Sequence, residues 1–102
     1  MARFAVYQNA RSSKGDIPYL LDVQADWVQT GSRVVIPLIP QRRFGPAMSR
    51  LNPVFEIDGV PHVLATGDLA AINASDLKKS VDDFSRHRDT ILAALDFLFQ
   101  GY

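Results

Sequence analysis

The side chains of this 102-residue chain that could do chemistry are few and scattered. His62 and His87 are the only imidazoles, and there is no cysteine. A metal centre needs several His, Cys or carboxylate donors converging, and no such spacing occurs, so no metal ligand and no cofactor is assigned. Each histidine is read as structural or surface-placed, His62 in a hairpin strand and His87 in the first turn of a C-terminal helix. Thiol catalysis and disulfides are excluded by composition. No glycine-rich phosphate loop, nucleophile elbow or paired-carboxylate signature is present either. The adjacent guanidinium groups of Arg42 and Arg43 are the one chemical opening. With Ser, Thr and Asp side chains from elsewhere they would stabilise a phosphoryl transition state and form a metal-independent ribonuclease site; a solvated basic loop accounts for the same pair. Trp27, the sole tryptophan, lies beside a turn in Ala25-Asp26-Trp27-Val28-Gln29-Thr30. It is read either as core or as a ring presented for contact with a partner.

The elements that must position these groups are short strands and one helix. Arg3–Gln8 alternates Phe4 and Val6 against Ala5 and Tyr7, a half-buried strand. Asn9–Asp16 is a polar loop with nothing to pack it, expected to be mobile. Tyr19–Gln24 is a second strand, and a turn over Asp26–Ser32 leads into Arg33–Leu38. Pro37 and Pro40 lack N–H donors, which places this strand at an edge or ends it near Pro37. Gln41–Arg50 is a long connection. Val54–Ile57 and Val60–Ala65 flank Asp58-Gly59, a type I′ hairpin signal. Short strands are expected around Leu69–Ala74 and near Leu77.

Ser85–Tyr102 carries the only long helical period. Phe84, Ile91, Leu95, Leu98 and Tyr102 fall on one stripe, with Arg88 and Ala94 at its edges and Phe97 off it. Asp82, Asp83 and Ser85 would start the helix, and Gly101 would stop it. Asp96 and the α-carboxylate of Tyr102 put negative charge at the C-terminal end, where cations are favoured; a basic partner surface or plain solvation would answer it. Several short strands followed by one amphipathic helix make an α+β domain, a small, strongly bent antiparallel sheet with the helix packed on it, as a single domain over residues 1–102.

Charge and composition set the remaining bounds. With 47% hydrophobic residues and no net charge the chain should fold well. Residues 1–50 carry seven basic groups (Arg3, Arg11, Lys14, Arg33, Arg42, Arg43, Arg50) and three acids, whereas residues 51–102 carry four basic groups and eight acids. That asymmetry suggests an acidic peptide partner at the N-terminal loops. No dense basic patch interleaved with aromatics points to direct nucleic-acid binding. No stretch has the length of a signal core or a membrane span, so a cytoplasmic protein without membrane contact is expected.

Four strings then carry a resemblance: Asp22-Val23-Gln24-Ala25-Asp26, Arg33-Val34-Val35-Ile36-Pro37-Leu38, Asn52-Pro53-Val54-Phe55-Glu56-Ile57, and the closing helix with Phe99-x-Gly101. Together, in this order and over nearly the whole chain, they resemble the CcdB family of toxins from bacterial toxin–antitoxin pairs. The resemblance implies a homodimer of the fold shared by CcdB, Kid and MazF, an SH3-like barrel of antiparallel strands with one C-terminal helix. It implies a non-enzymatic toxin that binds the DNA gyrase A subunit and traps the cleaved gyrase–DNA complex. A CcdA-like antitoxin would neutralise it, and the pair would repress its own operon, touching operator DNA only through the antitoxin. The gyrase-binding positions it implies are Trp27 and Val28 in the turn and Asp96, Phe99, Gln100, Gly101 and Tyr102 at the tail. At Gln100 the best-known member has tryptophan, while Trp27 is aromatic where that member is aliphatic. The antitoxin-binding positions implied are Arg11, Lys14, Arg42 and Arg43. The alternatives are a MazF/Kid-type endoribonuclease and a non-toxic homologue that still binds antitoxin.

Overall fold

The computed structural model describes residues 2–11 and 15–102. Seven strands and two helices follow one another: β1 Ala5–Gln8, β2 Tyr19–Asp22, β3 Ser32–Pro40, α1 Gln41–Phe44, β4 Val54–Ile57, β5 Val60–Leu64, β6 Ala70–Asn73, β7 Ser80–Asp83 and α2 Arg88–Gln100. The sheet is antiparallel and strongly curled, in the order β4-β5-β3-β2-β1-β7, with β6 also pairing β3. With α2 packed on one face, this is the expected α+β half-barrel.

Apolar runs such as Leu20-Leu21 and Val34-Val35-Ile36 belong to strands covered on both faces. Phe4, Val6, Leu21, Ile36, Leu38, Phe55, Leu64 and Phe84 pack beneath Ile91 and Ala94 of α2, with Leu92 and Leu95 against them. On the other face Ala5, Tyr7, Leu20 and Val35 pack with Ile72 and Leu77. The first strand is therefore buried on both sides, not half-buried, because β6 and the Leu77 segment roof the face that alternation alone would leave wet.

Pro37 neither ends β3 nor puts it at an edge. β3 is the central strand: β2 pairs one side, while on the other β6 pairs Ser32–Val35 and β5 pairs Leu38–Pro40. Pro37 sits in the gap between those two ladders, where no neighbour requires its missing N–H, and its carbonyl still accepts from Ala65 N–H at 2.9 Å. The Asp58-Gly59 hairpin forms as expected, with φ of 54° and 77°.

The C-terminal half departs from expectation at the helix start. Asp82 and Asp83 belong to β7, which pairs β1. The acid-rich start signal is real but local; the backbone groups of β1 need a partner on that side, and the ladder wins. β7, rather than a strand at Leu77, fills the edge, while Leu77 is simply buried. Asp83 Oδ1 accepts from Ser85 N–H at 2.8 Å and from Ser85 Oγ at 2.6 Å, which ties the end of β7 to the first residue of the 3-10 turn Ser85–His87 that leads into α2. Arg86 grips the same corner through Asp82 Oδ1 at 3.2 Å and through the Asp83 carbonyl. At the far end Gly101 stops the helix at φ 82°, its N–H donating to Phe97 O at 2.9 Å. Tyr102 leaves the apolar stripe altogether.

His87 is half-buried rather than free on the surface. Its ring stands 4.7 Å from that of Phe55 and edge-on to Phe84 at 5.1 Å, and desolvation, aided by nearby Arg86 and opposed by Asp82, pulls its pKa below the ordinary 6.5. The folded state thus favours neutral His87 and holds fewer protons there than the unfolded chain. That stabilisation is complete above about pH 6.5 and is lost as pH falls toward the lowered folded value. The melting temperature is expected to fall between pH 7.5 and 5.5, and His87→Phe to flatten that fall. An unaltered pH slope in the variant, measured by circular dichroism melts, would place the effect elsewhere.

Candidate partner-binding site

Trp27 is 95% exposed, so it is not a core residue. A tryptophan in water is a cost unless something covers it, and here the loop holding it is fixed. Arg33 opens β3 and reaches Asp22, the last residue of β2, with Nε to Oδ2 at 2.8 Å and Nη2 to Oδ1 at 3.0 Å. Both side chains are buried. Arg33 Nη2 also donates to Gln24 O at 3.0 Å and stands 3.6 Å from Asp26 Oδ1. The hydrogen bond to Asp22 is the leading reason that the Arg33 pKa is raised further above its already high value.

This pair seeds a wider network. Gln24 N–H donates to Asp22 Oδ1 at 3.0 Å, and Asp26 Oδ1 accepts from Arg3 N–H at 2.9 Å. Arg3 Nε donates to Val23 O at 3.0 Å. Arg3 is aimed at Asp26 by a turn in which Ala5 N–H donates to Ala2 O at 3.1 Å and buried Phe4 takes φ 71°. A non-glycine residue in that region costs of order 1–3 kcal/mol. Phe4 N–H to Asp22 O at 2.6 Å and Phe84 N–H to Phe4 O at 2.8 Å hold it there. Sequence reasoning quoted Asp22, Gln24, Asp26 and Arg33 as a motif but gave them no role. The available signal was a charged residue closing Tyr19–Asp22 and another opening Ser32–Pro40, facing each other across neighbouring strands. The positive φ of Phe4 has no sequence signal.

Apart from Val28, beside Trp27, the remaining expected gyrase-binding residues lie on α2 and after it. Phe99 is 71% and Tyr102 73% exposed, Val28, Asp96, Gln100 and Gly101 are exposed too, and Phe97 is half-buried beneath the Arg50 guanidinium, 5.4 Å from its ring centroid. Phe97 therefore has a cover within its own chain. Among the described residues no hydrogen bond, ion pair or ring contact joins the Trp27 loop to this tail. The loop is anchored at Arg3 and β3, the end of the helix at Arg50.

Of the expected antitoxin-binding residues, Lys14 lies outside the described residues, as does the mobility expected of 12–14. The described ends of that loop are held. Asn9 N–H donates to Pro18 O at 2.9 Å, Asn9 Nδ2 to Ile17 O at 2.7 Å, and Arg11 N–H to Asn9 Oδ1 at 3.0 Å. Arg43 reaches across from α1, its Nη1 donating to Gly15 O at 2.8 Å and to Asp16 Oδ1 at 3.2 Å. The two basic segments are thereby brought together. Arg11 lines an open groove of about 310 Å³ with Leu20, Val35, Ile72 and Asp68. Arg42 lines another of about 330 Å³ with Pro40, Val60 and Pro61.

For catalysis the arrangement offers little. His62 is buried, with Nδ1 2.8 Å from Val60 O and its ring edge-on to Tyr19. Arg43 is committed to the neighbouring loop. Among the described residues no group of three or more His, Cys, Asp or Glu side chains is placed to hold a metal ion, and no helix is long and apolar enough to cross a membrane.

A curled antiparallel half-barrel with one C-terminal helix, presenting isolated aromatic rings on pinned backbone, defines a small domain whose outstanding surface features suit contact with another macromolecule. The family described as CcdB protein matches residues 3–101. The chain belongs to the CcdB family, the toxins of toxin–antitoxin pairs. A search of curated proteins gives no match.

The buried ion pair yields a direct test. Asp22→Ala leaves the Arg33 guanidinium buried with only the Gln24 carbonyl and the longer Asp26 contact, and is expected to cost about 3 kcal/mol or more in urea unfolding. A loss below about 1 kcal/mol would mean that the network does not depend on Asp22.

Proposed function

We propose that this protein is the toxin of a type II toxin–antitoxin pair that binds the DNA gyrase A subunit and traps gyrase on cleaved DNA, acting by contact rather than by catalysis. The observation that carries the proposal is Trp27, 95% exposed on a loop held by a buried polar network, at the turn for which the family resemblance suggests gyrase contact. Val28 beside it and Asp96, Phe99, Gln100, Gly101 and Tyr102 at the tail complete the surface. Gln100 has no ring to lay against a guanidinium, and Trp27 and Tyr102 supply rings instead. Since among the described residues no hydrogen bond, ion pair or ring contact joins loop and tail within one chain, a homodimer would be a natural way to present both to one target.

The antitoxin is proposed to be CcdA-like, with an acidic, flexible segment that engages Arg11, Lys14, Arg42 and Arg43 and orders as it binds. Autoregulation would pass through that antitoxin's own DNA-binding part, and the site of action is the cytoplasm, where gyrase is. The burial of His62 and the commitment of Arg43 to Gly15 and Asp16 weigh against the ribonuclease alternative.

Purified protein mixed with gyrase, ATP and supercoiled plasmid is expected to yield linear plasmid, and to leave RNA intact. RNA fragments without linear plasmid would overturn the reading in favour of a ribonuclease, and neither product would leave a non-toxic homologue. Trp27→Ala is expected to weaken gyrase A binding by about 2 kcal/mol, roughly 30-fold, as for a central aromatic contact. Growth inhibition untouched by both Trp27→Ala and Tyr102→Ala would remove those rings from the site. Antitoxin affinity should fall at least about tenfold between low and high salt, since exposed charge pairs are screened; an affinity indifferent to salt would exclude the basic cluster as its docking point.

A further inference from the structure

Residues 26–31 are all exposed, and a solvent-open hollow of about 190 Å³ lies among Asp26, Val28, Gly31 and Arg33. Among the described residues no apolar contact therefore holds the loop that carries Trp27. What holds its backbone is polar, and most of it passes through one side chain. Gln24 Oε1 accepts from Val34 N–H at 2.9 Å, and its Nε2 donates to Val28 O at 2.7 Å and to Ser32 O at 3.2 Å. Its own N–H and C=O are taken by Asp22 and Arg33. Only one orientation of the amide satisfies one N–H and two carbonyls at once, so the side chain acts as a keyed bracket across the loop. Val28 N–H donates to Ala25 O at 3.0 Å, closing a turn around Asp26 and Trp27. Trp27 is thus held from both sides, through Asp26 on Arg3 N–H and through Val28 on Gln24.

We propose that Gln24 is a positioning residue for Trp27: its amide clamps the Val28 and Ser32 carbonyls so that the exposed indole is presented to the partner protein already ordered. This rests on the reading of Trp27 as a partner contact. The energetic logic is pre-organisation, since a loop free to move would have to be ordered on binding. Gln24→Glu separates the clamp from the strand. It keeps an acceptor for Val34 N–H but turns an oxygen toward the two carbonyls, so the strand anchor survives and the loop grip is lost.

Because Trp27 is the only tryptophan, its fluorescence reports the loop without labelling. In Gln24→Glu the steady-state anisotropy of Trp27 is expected to drop while the far-ultraviolet spectrum stays that of the folded protein. Gyrase A affinity is expected to weaken at least about fivefold. In a Trp27→Ala background the same Gln24 change is expected to cost clearly less, because the residue acts chiefly through the ring and only in part through Val28; a merely structural role would cost the same in both backgrounds. Unchanged anisotropy, or equal losses in both backgrounds, would overturn the proposal. If Gln24→Glu does not fold, Gln24→Met removes the clamp without adding charge and is judged by the same readings. Should the wild-type protein fail to bind gyrase A, the functional reading fails, and the anisotropy alone decides the clamp: a drop supports it and no change overturns it.

Discussion

The bidentate contact between Arg33 and Asp22 is the interaction on which the order of the Trp27 loop depends. Two opposite charges are taken out of water at the point where β2 ends and β3 begins, and a charge pair there is favourable only if every remaining hydrogen-bonding position is filled. Filling them recruits the Gln24 backbone, Asp26 and, one step removed, Arg3. A requirement for satisfied polarity in the interior is thereby converted into order on an exterior loop. Apolar packing could not have done this, since a loop drawn onto the core would bury the ring it carries.

The same economy runs through the sheet. β3 serves three strands, and the proline that should break it lies where one neighbour hands over to the next. β7 closes the far side on β1, which ties the chain's early residues to the segment just before α2. The helix then covers one face of the curl, and its terminal turn projects past the covered core. The consequence is a body whose centre is over-determined and whose exposed loop and tail are held by different means, the loop by hydrogen bonds and the tail by helix continuity up to Gly101.

What the sequence made legible follows from how local each cause is. The Asp58-Gly59 hairpin, the Gly101 stop and the period of Ile91 and Leu95 are written in neighbouring residues, and they were read correctly. The helix start was misread because Asp82 and Asp83 carry a local signal that pairing with β1 overrides, a contact with residues nearly eighty positions away. Pro37 misled for the same reason, because its tolerance depends on where β5 and β6 end along β3. At the candidate site the family strings located Trp27, but they left its two environments open, and they could not show that Gln24 and Arg33 hold the loop. Such roles arise from side chains crossing between strands, and no spacing rule encodes them.

The Gly101 cap also bears on how this protein would change over generations. Residues 99, 100 and 102 are exposed, and the helix is already terminated by backbone geometry, so substitutions there alter the surface with little effect on folding. The tail can therefore be rewritten one residue at a time. The Trp27 loop cannot, since a change at Asp22, Gln24 or Arg33 strands a buried polar group. One molecule thus carries a freely mutable surface beside a locked one, and sequence drift is expected to be recorded first at Gln100 and Tyr102.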